Sequence, residues 1–266
     1  MTTKKITIIG SGNLGLSIAE GLTSKSAIDK KNLLLTEKNA DRIKILLNKN
    51  FNISEDNISS VNNSDIIIIA VKPKNAEEVL KEISDNIKPE KHILISCVAG
   101  LNSQQILRII NPNTPLFRIM PNTAIAVGES MTCISEFNTT EVQKKEIENI
   151  FSKLGKVIFI NEELMSAATV LAGCGVAFAM RFIRAVTEAG VEMGVDAYNS
   201  QLIASQILKG GAELILSNDT HPEKEIDKVT TPGGITITAL NEMEHYGFSA
   251  AIIKGLIAAF NKMNKK

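Results

Sequence analysis

The feature that most restricts the fold of this chain is a change in patterning near Asn161. Before that residue, short segments made almost wholly of apolar residues alternate with stretches in which apolar residues recur at helical spacing. After it, almost every pattern is helical. Strands that are apolar throughout are buried on both faces, as in a parallel sheet with helices on either side. The pattern therefore predicts an α/β fold, with a doubly wound sheet followed by an all-helical carboxy-terminal part.

Two domains follow from this change, one over residues 1–160 and one over residues 161–266. The predicted strands of the first domain are residues 6–9, 33–35, 66–71, 92–97, 116–120, 131–134 and 157–160. The second domain is very rich in Ala, Leu, Ile and Val. A helical surface of that kind is more readily buried against a second copy of the chain than left in water. We therefore expect the second domain to mediate dimerisation.

Charge and cysteine content restrict the partners and the compartment. Lys plus Arg and Asp plus Glu both number 29, so no global field attracts nucleic acid or an anionic membrane. The three cysteines, Cys97, Cys133 and Cys174, form no C-x-x-C pair, which favours a reducing compartment. The apolar run that ends at Gly10 is too short for the core of a signal peptide. We expect a cytoplasmic protein.

An uncharged run over residues 164–180 approaches the length of a membrane span. It is rich in Ala and Gly, falls short of about 20 residues, and contains Gly173, Cys174 and Gly175. We expect a buried helix pair here, with Cys174 as a small buried residue in close helix packing.

A glycine-rich turn, Gly10-Ser11-Gly12-Asn13-Leu14-Gly15, follows the first predicted strand and opens a helix. This is the context in which G-x-G-x-x-G binds a dinucleotide. Gly10 permits a tight turn, Gly12 lets a pyrophosphate approach the backbone, and Gly15 lets helix and strand pack closely. The turn predicts a Rossmann-like domain that binds NADPH or NADH.

The end of the second strand, Thr36-Glu37-Lys38, is where the adenosine ribose is expected. Glu37 suits a free 2′-hydroxyl, which is the mark of NAD, whereas Thr36 with Lys38 and Arg42 suits the 2′-phosphate of NADP. The residues leave both cofactors open. The ends of the next two parallel strands, residues 70–73 and 96–100, are expected at the same crevice.

A second anion-ready turn, residues 229–236, precedes a helical pattern near the other end of the chain. Two glycines can direct the N–H groups of Gly233, Gly234 and Ile235 toward one point, and the helix dipole favours negative charge there. We expect this turn to bind a carboxylate or a phosphate. The two turns together suggest a cofactor site and a substrate site.

Five motifs, in the same order over the full length, resemble the Δ1-pyrroline-5-carboxylate reductase family. They are Gly10 to Gly15, Ala70-Val71-Lys72-Pro73, Ser96-Cys97-Val98-Ala99-Gly100, Met120-Pro121-Asn122-Thr123 and Val229 to Thr236. The resemblance implies reduction of 1-pyrroline-5-carboxylate to L-proline by hydride transfer from NAD(P)H. It also implies a Rossmann domain, a helical domain that interlocks in a homodimer, and in some cases a ring of dimers.

The resemblance also implies roles for individual residues. The cofactor-binding residues would be Gly10, Ser11, Gly12, Asn13, Leu14, Thr36, Glu37, Lys38, Asn57, Ala70, Val71, Lys72, Pro73, Cys97, Ala99, Gly100 and Asn122. The substrate-binding residues would be Thr231, Gly233, Gly234, Ile235 and Thr236. Thr236 is the candidate catalytic residue, because its hydroxyl can hydrogen-bond the ring nitrogen. We expect no metal, and the three histidines, His92, His221 and His245, are interpreted as surface or capping residues.

The sequence departs from the family at Leu171-Ala172-Gly173-Cys174-Gly175-Val176-Ala177-Phe178, where the usual pattern resembles Leu-Ser-Gly-Ser-Gly-Pro-Ala-Tyr. The loss of hydroxyls leaves a related cyclic imine open as the substrate. A β-hydroxyacid dehydrogenase-like reductase is a second alternative, but Ala179 stands where such an enzyme has a lysine. A non-catalytic NAD(P)-binding regulator is a third, although Thr231, Gly233, Gly234 and Thr236 are all present.

Overall fold

The computed structural model describes residues 2–265 and divides the chain after Cys174 into two compact units. The first unit contains one eight-stranded sheet. Its strands are β1 (Ile6–Ile9), β2 (Leu33–Thr36), β3 (Asn52–Ser54), β4 (Ile66–Ile69), β5 (Ile93–Ser96), β6 (Leu116–Met120), β7 (Ser130–Phe137) and β8 (Gly155–Phe159).

The sheet has the order β3-β2-β1-β4-β5-β6-β7-β8. Strands β1 to β6 are parallel, β7 is antiparallel to β6, and β8 is parallel to β7. The predicted doubly wound arrangement is confirmed, while the expectation of a wholly parallel sheet is wrong for the last two strands. Strand β3 was not predicted, because Asn52–Ser54 is a three-residue edge strand with polar residues at both ends.

Helices cover both faces of the sheet. They are α1 (Asn13–Ser24), α2 (Ala40–Asn48), α3 (Asn57–Asn62), α4 (Pro73–Ile83), α5 (Ser103–Ile109), α6 (Glu141–Phe151) and α7 (Met165–Ala168), followed by a π-helix over Thr169–Cys174. Local sequence sets several of their starts. Pro73 opens α4 at its first turn, and capping boxes of Asn102 with Gln105 and of Thr140 with Gln143 open α5 and α6.

The four consecutive isoleucines of β4 show why this sheet is buried on both sides. Ile66 and Ile68 belong to one apolar cluster, and Ile67 and Ile69 belong to another. Successive strand residues point to opposite faces, so a strand with a core on each side needs apolar residues at every position.

The second unit is wholly helical, as predicted. Its helices are α8 (Gly175–Glu192), α9 (Ala197–Asn218), α10 (Pro222–Lys228), α11 (Ile235–His245) and α12 (Phe248–Asn264). Asp196 caps α9 by accepting from the N–H of Asn199. Helices α8 and α9 pack closely at Gly190, where a Cβ atom would lie 2.6 Å from Oγ of Ser200. Large apolar side chains remain exposed on this unit, including Leu202, Ile207, Leu214 and Ile253.

The uncharged run lies in the helical stretch Glu162–Glu192, which is long and apolar enough to cross a membrane by length and composition alone. Only 17% of its most apolar window is buried within the chain. Cys174 is exposed. The predicted burial of this run and of Cys174 is therefore wrong for a single chain, because the pattern cannot distinguish cover by the same chain from cover by a second copy.

Packing and patterning place the division of the chain at different points. The sheet ends at Phe159, yet residues 161–174 are part of the first compact unit. We retain 1–160 and 161–266 as proposed domains, since they follow the change in sequence pattern. Residues 161–174 then belong in sequence to the helical domain and in packing to the sheet.

Candidate cofactor and substrate sites

The glycine turn between β1 and α1 needs glycine at two positions for steric reasons. Gly10 has φ +95°, and a Cβ atom there would lie 2.6 Å from Cγ1 of Val71. A Cβ atom on Gly15 would lie 2.1 Å from the carbonyl oxygen of Gly10. No heavy atom lies within 4 Å of the Cβ position of Gly12, which is exposed. The turn is tight beneath Gly12 and open above it, as a bound pyrophosphate requires.

The amino terminus of α1 supplies hydrogen-bond donors at this opening. Gly12 is the N-cap and has no side chain to satisfy the first-turn N–H groups. Within residues 2–265, the amides of Asn13 and Leu14 have no backbone acceptor. Free amides and the positive end of a 12-residue helix favour an anion at this point.

Ser11 and Arg42 fix the turn to the end of β2. Ser11 is fully buried, and its Oγ donates to the carbonyl oxygen of Thr36 at 3.2 Å. Nη2 of Arg42 donates to the carbonyl oxygen of Ser11 at 2.7 Å. Arg42, which sequence reasoning considered for a 2′-phosphate, is therefore engaged with the protein backbone.

A cleft of about 260 Å³ lies at the ends of β1 and β2. It brings together six of the residues predicted to bind the cofactor, namely Gly10, Thr36, Glu37, Lys38, Asn57 and Val71. It also contains Asn75, Glu78, Val79 and Glu82, which sequence reasoning missed. Their spacing of three and four residues on α4 places them on one helix face, and that spacing is the signal that could have identified them.

Glu82 and Glu37 organise the polar contacts of this cleft. Oε2 of Glu82 accepts from Nδ2 of Asn57 at 2.8 Å, and Oε1 lies 3.5 Å from Nζ of Lys38. Oε1 of Glu37 accepts from the backbone N–H groups of Lys38 and Asn39, each at 3.0 Å. Both carboxylates are therefore held in place by neighbouring donors.

The predicted cofactor residues after β4 and β5 differ in their exposure to solvent. Lys72 and Pro73 are exposed at the start of α4, and Gly100, with φ +86°, is exposed in the loop after β5. Cys97 is buried, and this burial raises the pKa of its thiol to about 12. The Cys97 thiol is therefore neutral, and it packs within the apolar core.

Asn122 follows β6, and the protein already uses its side chain. Its Oδ1 accepts from the N–H of Ala124 at 3.0 Å, and its Nδ2 donates to the carbonyl oxygen of Ala172 at 3.1 Å. The residue is 6% exposed. It joins the loop after β6 to the π-helix, which contains the first half of the segment where the sequence departs from the family, residues 171–174. π-Helical turns are frequent at functional sites.

A partly buried carboxylate that sequence reasoning missed, Glu162, lies beside the same loops. Glu162 accepts hydrogen bonds from the N–H of Ser103, from Oγ of Ser135 and from Nη1 of Arg118. Burial raises the pKa of Glu162, but the bonds from Ser135 and Ser103 and the charge of Arg118 outweigh that effect, so its pKa is lowered. Arg118 was the available signal, because it is the single charge in the apolar strand Leu116–Met120.

The second anion-ready turn, residues 229–236, lies in the second unit. The N–H of Gly234 donates to the carbonyl oxygen of Thr231 at 2.9 Å, and Gly233 has φ +67°, as the Pro-Gly centre of a type II turn prefers. This bond removes Gly234 from the three amides expected to face an anion. Within the described chain, the N–H groups of Gly233, Ile235 and Thr236 have no backbone acceptor. Ile235 is 91% exposed, and Thr236 is also exposed.

The histidines differ from one another. His221 caps α10 by accepting from the N–H of Glu223, as predicted. His92 is 1% exposed, so its interpretation as a surface residue is wrong. Burial and the charge of Lys91 lower its pKa, and its Nδ1 accepts from the N–H of Lys88. Among residues 2–265, no group of three or more His, Cys, Asp or Glu could hold a metal ion.

The sheet order and the glycine turn define a Rossmann-type dinucleotide-binding protein with a helical second unit. A family model described as pyrroline-5-carboxylate reductase dimerisation matches residues 162–266, and one described as NADP oxidoreductase, coenzyme F420-dependent, matches residues 5–100. Pyrroline-5-carboxylate reductase 2 of Dictyostelium discoideum is 41% identical over 98% of this chain and 93% of its own length. The chain belongs to the pyrroline-5-carboxylate reductase family.

Other relatives agree in sequence and in structure. Pyrroline-5-carboxylate reductase of Aquifex aeolicus is 31% identical over 99% of this chain and 97% of its own length. The crystal structure of Plasmodium falciparum pyrroline carboxylate reductase with NADP bound superposes with a TM-score of 0.89 at 29% identity. That comparison covers 99% of this chain and 98% of the other. The expected family and the expected fold are both confirmed.

Proposed function

We propose that this protein reduces 1-pyrroline-5-carboxylate to L-proline, with NADPH or NADH supplying a hydride to the imine carbon. The ring nitrogen takes a proton, so that the C=N bond becomes a C–N single bond. The observation that carries the proposal is the 41% identity to a pyrroline-5-carboxylate reductase over 98% of the chain. Both anion-ready turns lie within that match.

The first unit fits the dinucleotide. The open face of Gly12, the positive φ of Gly10 and the free first-turn amides of α1 form a cradle in which an added Cβ atom would obstruct the ligand. The proposed cofactor residues lie at the ends of β1, β2, β4, β5 and β6, together with Asn57 at the start of α3. For Ser11 and Asn122, whose side chains bond within the protein, we propose that the effect on the cofactor is through the shape of the backbone.

The turn in the second unit fits a small carboxylate. We propose that Thr231, Gly233, Gly234, Ile235 and Thr236 line the substrate pocket, with the free amides of Gly233 and Ile235 facing the carboxylate. Each charge-assisted bond contributes about 1.5 to 3 kcal/mol in gross terms. Thr236 is the proposed catalytic residue, because its hydroxyl can hydrogen-bond the ring nitrogen. A protonated imine is already electrophilic, so correct placement supplies much of the rate.

The exposed apolar side chains of α8, α9 and α12 support a homodimer, or a ring of dimers, covering this surface. The balanced charge of 29 basic and 29 acidic residues disfavours nucleic acid or a membrane as the partner. The three cysteines without a C-x-x-C pair support a cytoplasmic location. A β-hydroxyacid dehydrogenase-like activity is disfavoured, because Ala179 stands in place of the lysine that such an enzyme uses.

The test is steady-state kinetics on the purified protein with 1-pyrroline-5-carboxylate, its six-membered homologue, and both reduced cofactors. We expect substrate-dependent oxidation of the nicotinamide, followed by its absorbance, with the five-membered imine preferred. A protein that binds cofactor but shows no such oxidation with either imine would contradict the proposal and support the regulator alternative.

A further inference from the structure

We propose that the cleft at the end of β2 selects NADH over NADPH, with Glu37 and Glu82 as the specificity-determining residues. The inference rests on the proposed function, since it concerns the cofactor of that reaction. The sequence alone leaves both cofactors open at this point. Glu37 suits the free 2′-hydroxyl of NAD, whereas Thr36, Lys38 and Arg42 suit the 2′-phosphate of NADP. The geometry of the cleft decides between them.

Glu37 occupies two backbone donors that would suit a 2′-phosphate. Its Oε1 accepts from the N–H groups of both Lys38 and Asn39, each at 3.0 Å, just before α2 begins. Two adjacent amides near the start of a helix are a suitable site for a phosphate oxygen. A carboxylate already bound there repels a phosphate and can accept a hydrogen bond from a ribose hydroxyl.

The cations near the cleft are engaged elsewhere. Nζ of Lys38 lies 3.5 Å from Oε1 of Glu82, whose other oxygen is fixed by Nδ2 of Asn57 at 2.8 Å. Nη2 of Arg42 is bonded to the carbonyl oxygen of Ser11 at 2.7 Å. Releasing either cation to hold a phosphate would break a contact that the folded chain already makes.

The charge of the lining agrees with these contacts. Glu37, Glu78 and Glu82 line the cleft together with one cation, Lys38, which leaves a net charge of −2. A phosphate monoester adds a charge of about −1.5 to −2 near neutral pH. The relative from Plasmodium falciparum, which has the same fold, was solved with NADP bound, so we attribute the preference proposed here to the side chains of this cleft rather than to the fold.

Two substitutions test separately what Glu37 and Glu82 each contribute to the cofactor preference. Glu82→Gln keeps an acceptor for Asn57 but frees Lys38, so we expect the affinity for NADPH to rise while that for NADH changes little. Glu37→Ser removes a negative charge and the acceptor for the ribose hydroxyl, so NADH binding should weaken and NADPH binding should strengthen. Glu77→Gln is the matched control, because Glu77 lies on the same helix but is exposed, pairs with Lys81 at 3.8 Å and does not line the cleft.

The experiment is calorimetric titration of the full-length protein and its variants with NADH, NADPH, ADP-ribose and 2′-phospho-ADP-ribose. We expect the unmodified protein to bind each ligand that lacks the 2′-phosphate on the order of tenfold more tightly. We also expect the ratio of the affinities for the ligands without and with the 2′-phosphate to fall with added salt, since salt screens the repulsion between the phosphate and the carboxylates of the cleft. Melting temperatures confirm that the variants are folded.

Equal or tighter binding of the phosphorylated ligands by the unmodified protein would overturn the inference and leave the proposed reduction intact. An unchanged ratio in both Glu37→Ser and Glu82→Gln would overturn the assignment of these residues. Failure to bind any of the four ligands would count against the proposed function itself. The affinities are measured without substrate, so the outcomes do not depend on turnover.

Discussion

Nη1 of Arg118 lies 2.6 Å from Oε1 of Glu162, and their side chains are 5% and 21% exposed. Arg118 is in the middle of β6, whereas Glu162 follows the last strand of the sheet. The same carboxylate accepts from Ser103, at the start of α5, and from Ser135 in β7. One side chain therefore ties the beginning of the helical part of the sequence to two strands and to the end of the loop after β5.

The Glu162 carboxylate should make stability depend on pH. Its folded pKa is below the ordinary 4.5, so its contribution is complete above that value and is lost as the pH falls through the folded pKa. Removing one partner of a largely buried pair costs about 3 kcal/mol. We expect Glu162→Ala to lose about that much of the unfolding free energy near neutral pH in urea titrations, and the difference to shrink in acid.

The matched control for this substitution is Glu163→Ala. Glu163 is adjacent and exposed, and within the described residues it forms no ion pair. We expect a change within about 0.5 kcal/mol. Equal losses in the two variants would show that the cost comes from the local 3-10 turn over Glu162–Leu164 rather than from the ion pair.

Substitutions of Gly12 and Gly15 should affect different properties of the protein, one the binding of the dinucleotide and the other the stability of the fold. Gly15→Ala places a Cβ atom 2.1 Å from the carbonyl oxygen of Gly10, so we expect a loss of about 1 to 3 kcal/mol of stability. Gly12→Ala meets no atom within 4 Å, so the fold should tolerate it while dinucleotide binding weakens. Melting temperature and the Kd for NADH separate the two effects. Tight binding by a folded Gly12→Ala variant would contradict the placement of the pyrophosphate.

Thr236 should affect turnover more than cofactor binding. We expect Thr236→Ala to lower kcat on the order of tenfold to a hundredfold, because the ring nitrogen loses a hydrogen-bond partner, while the Kd for NADH stays nearly constant. Thr238→Ala is the control, since its hydroxyl already donates to the carbonyl oxygen of Gly234 at 3.1 Å within α11. Equal damage to kcat and cofactor affinity by Thr236→Ala would mean that the substrate turn is misplaced.

The contact between Gly190 and Ser200 should limit side-chain size between α8 and α9. A Cβ atom on Gly190 would lie 2.6 Å from Oγ and 2.9 Å from Cβ of Ser200, so Gly190→Ala should cost about 1 to 3 kcal/mol. Gly211→Ala in α9 meets nothing within 4 Å and should stabilise the helix by about 0.5 to 1 kcal/mol. Thermal unfolding measures both. Destabilisation by Gly211→Ala would indicate that another chain packs against this face.

Much of the fold could be predicted because its signals are local. The four isoleucines of β4 can satisfy only a strand with a core on both sides, and Gly10 to Gly15 fits only a strand, a turn and a helix in succession. Strand β3 carries no such signal, since it has a single apolar residue, Ile53, and its place in the sheet is set by pairing with β2. The reversed direction of β7 was hidden for a related reason: a strand's composition does not reveal the direction of its neighbour.

The candidate sites likewise combine features that depend on local sequence with features that depend on tertiary contacts. By itself, the sequence determined the family, through its five motifs, and the positions of the two glycine turns, because backbone geometry at glycines depends on neighbours in the chain. The ligands of these turns stay predictions, and the structure removes Gly234 from the three amides expected to face an anion. Only the tertiary structure decided that α4 brings Glu78 and Glu82 to the cleft at the ends of β1 and β2, that Arg42 bonds to the carbonyl oxygen of Ser11, and that Glu162 meets Arg118. Charge interactions depend on distance through space, and residues far apart in sequence become neighbours only when the sheet and its helices have packed.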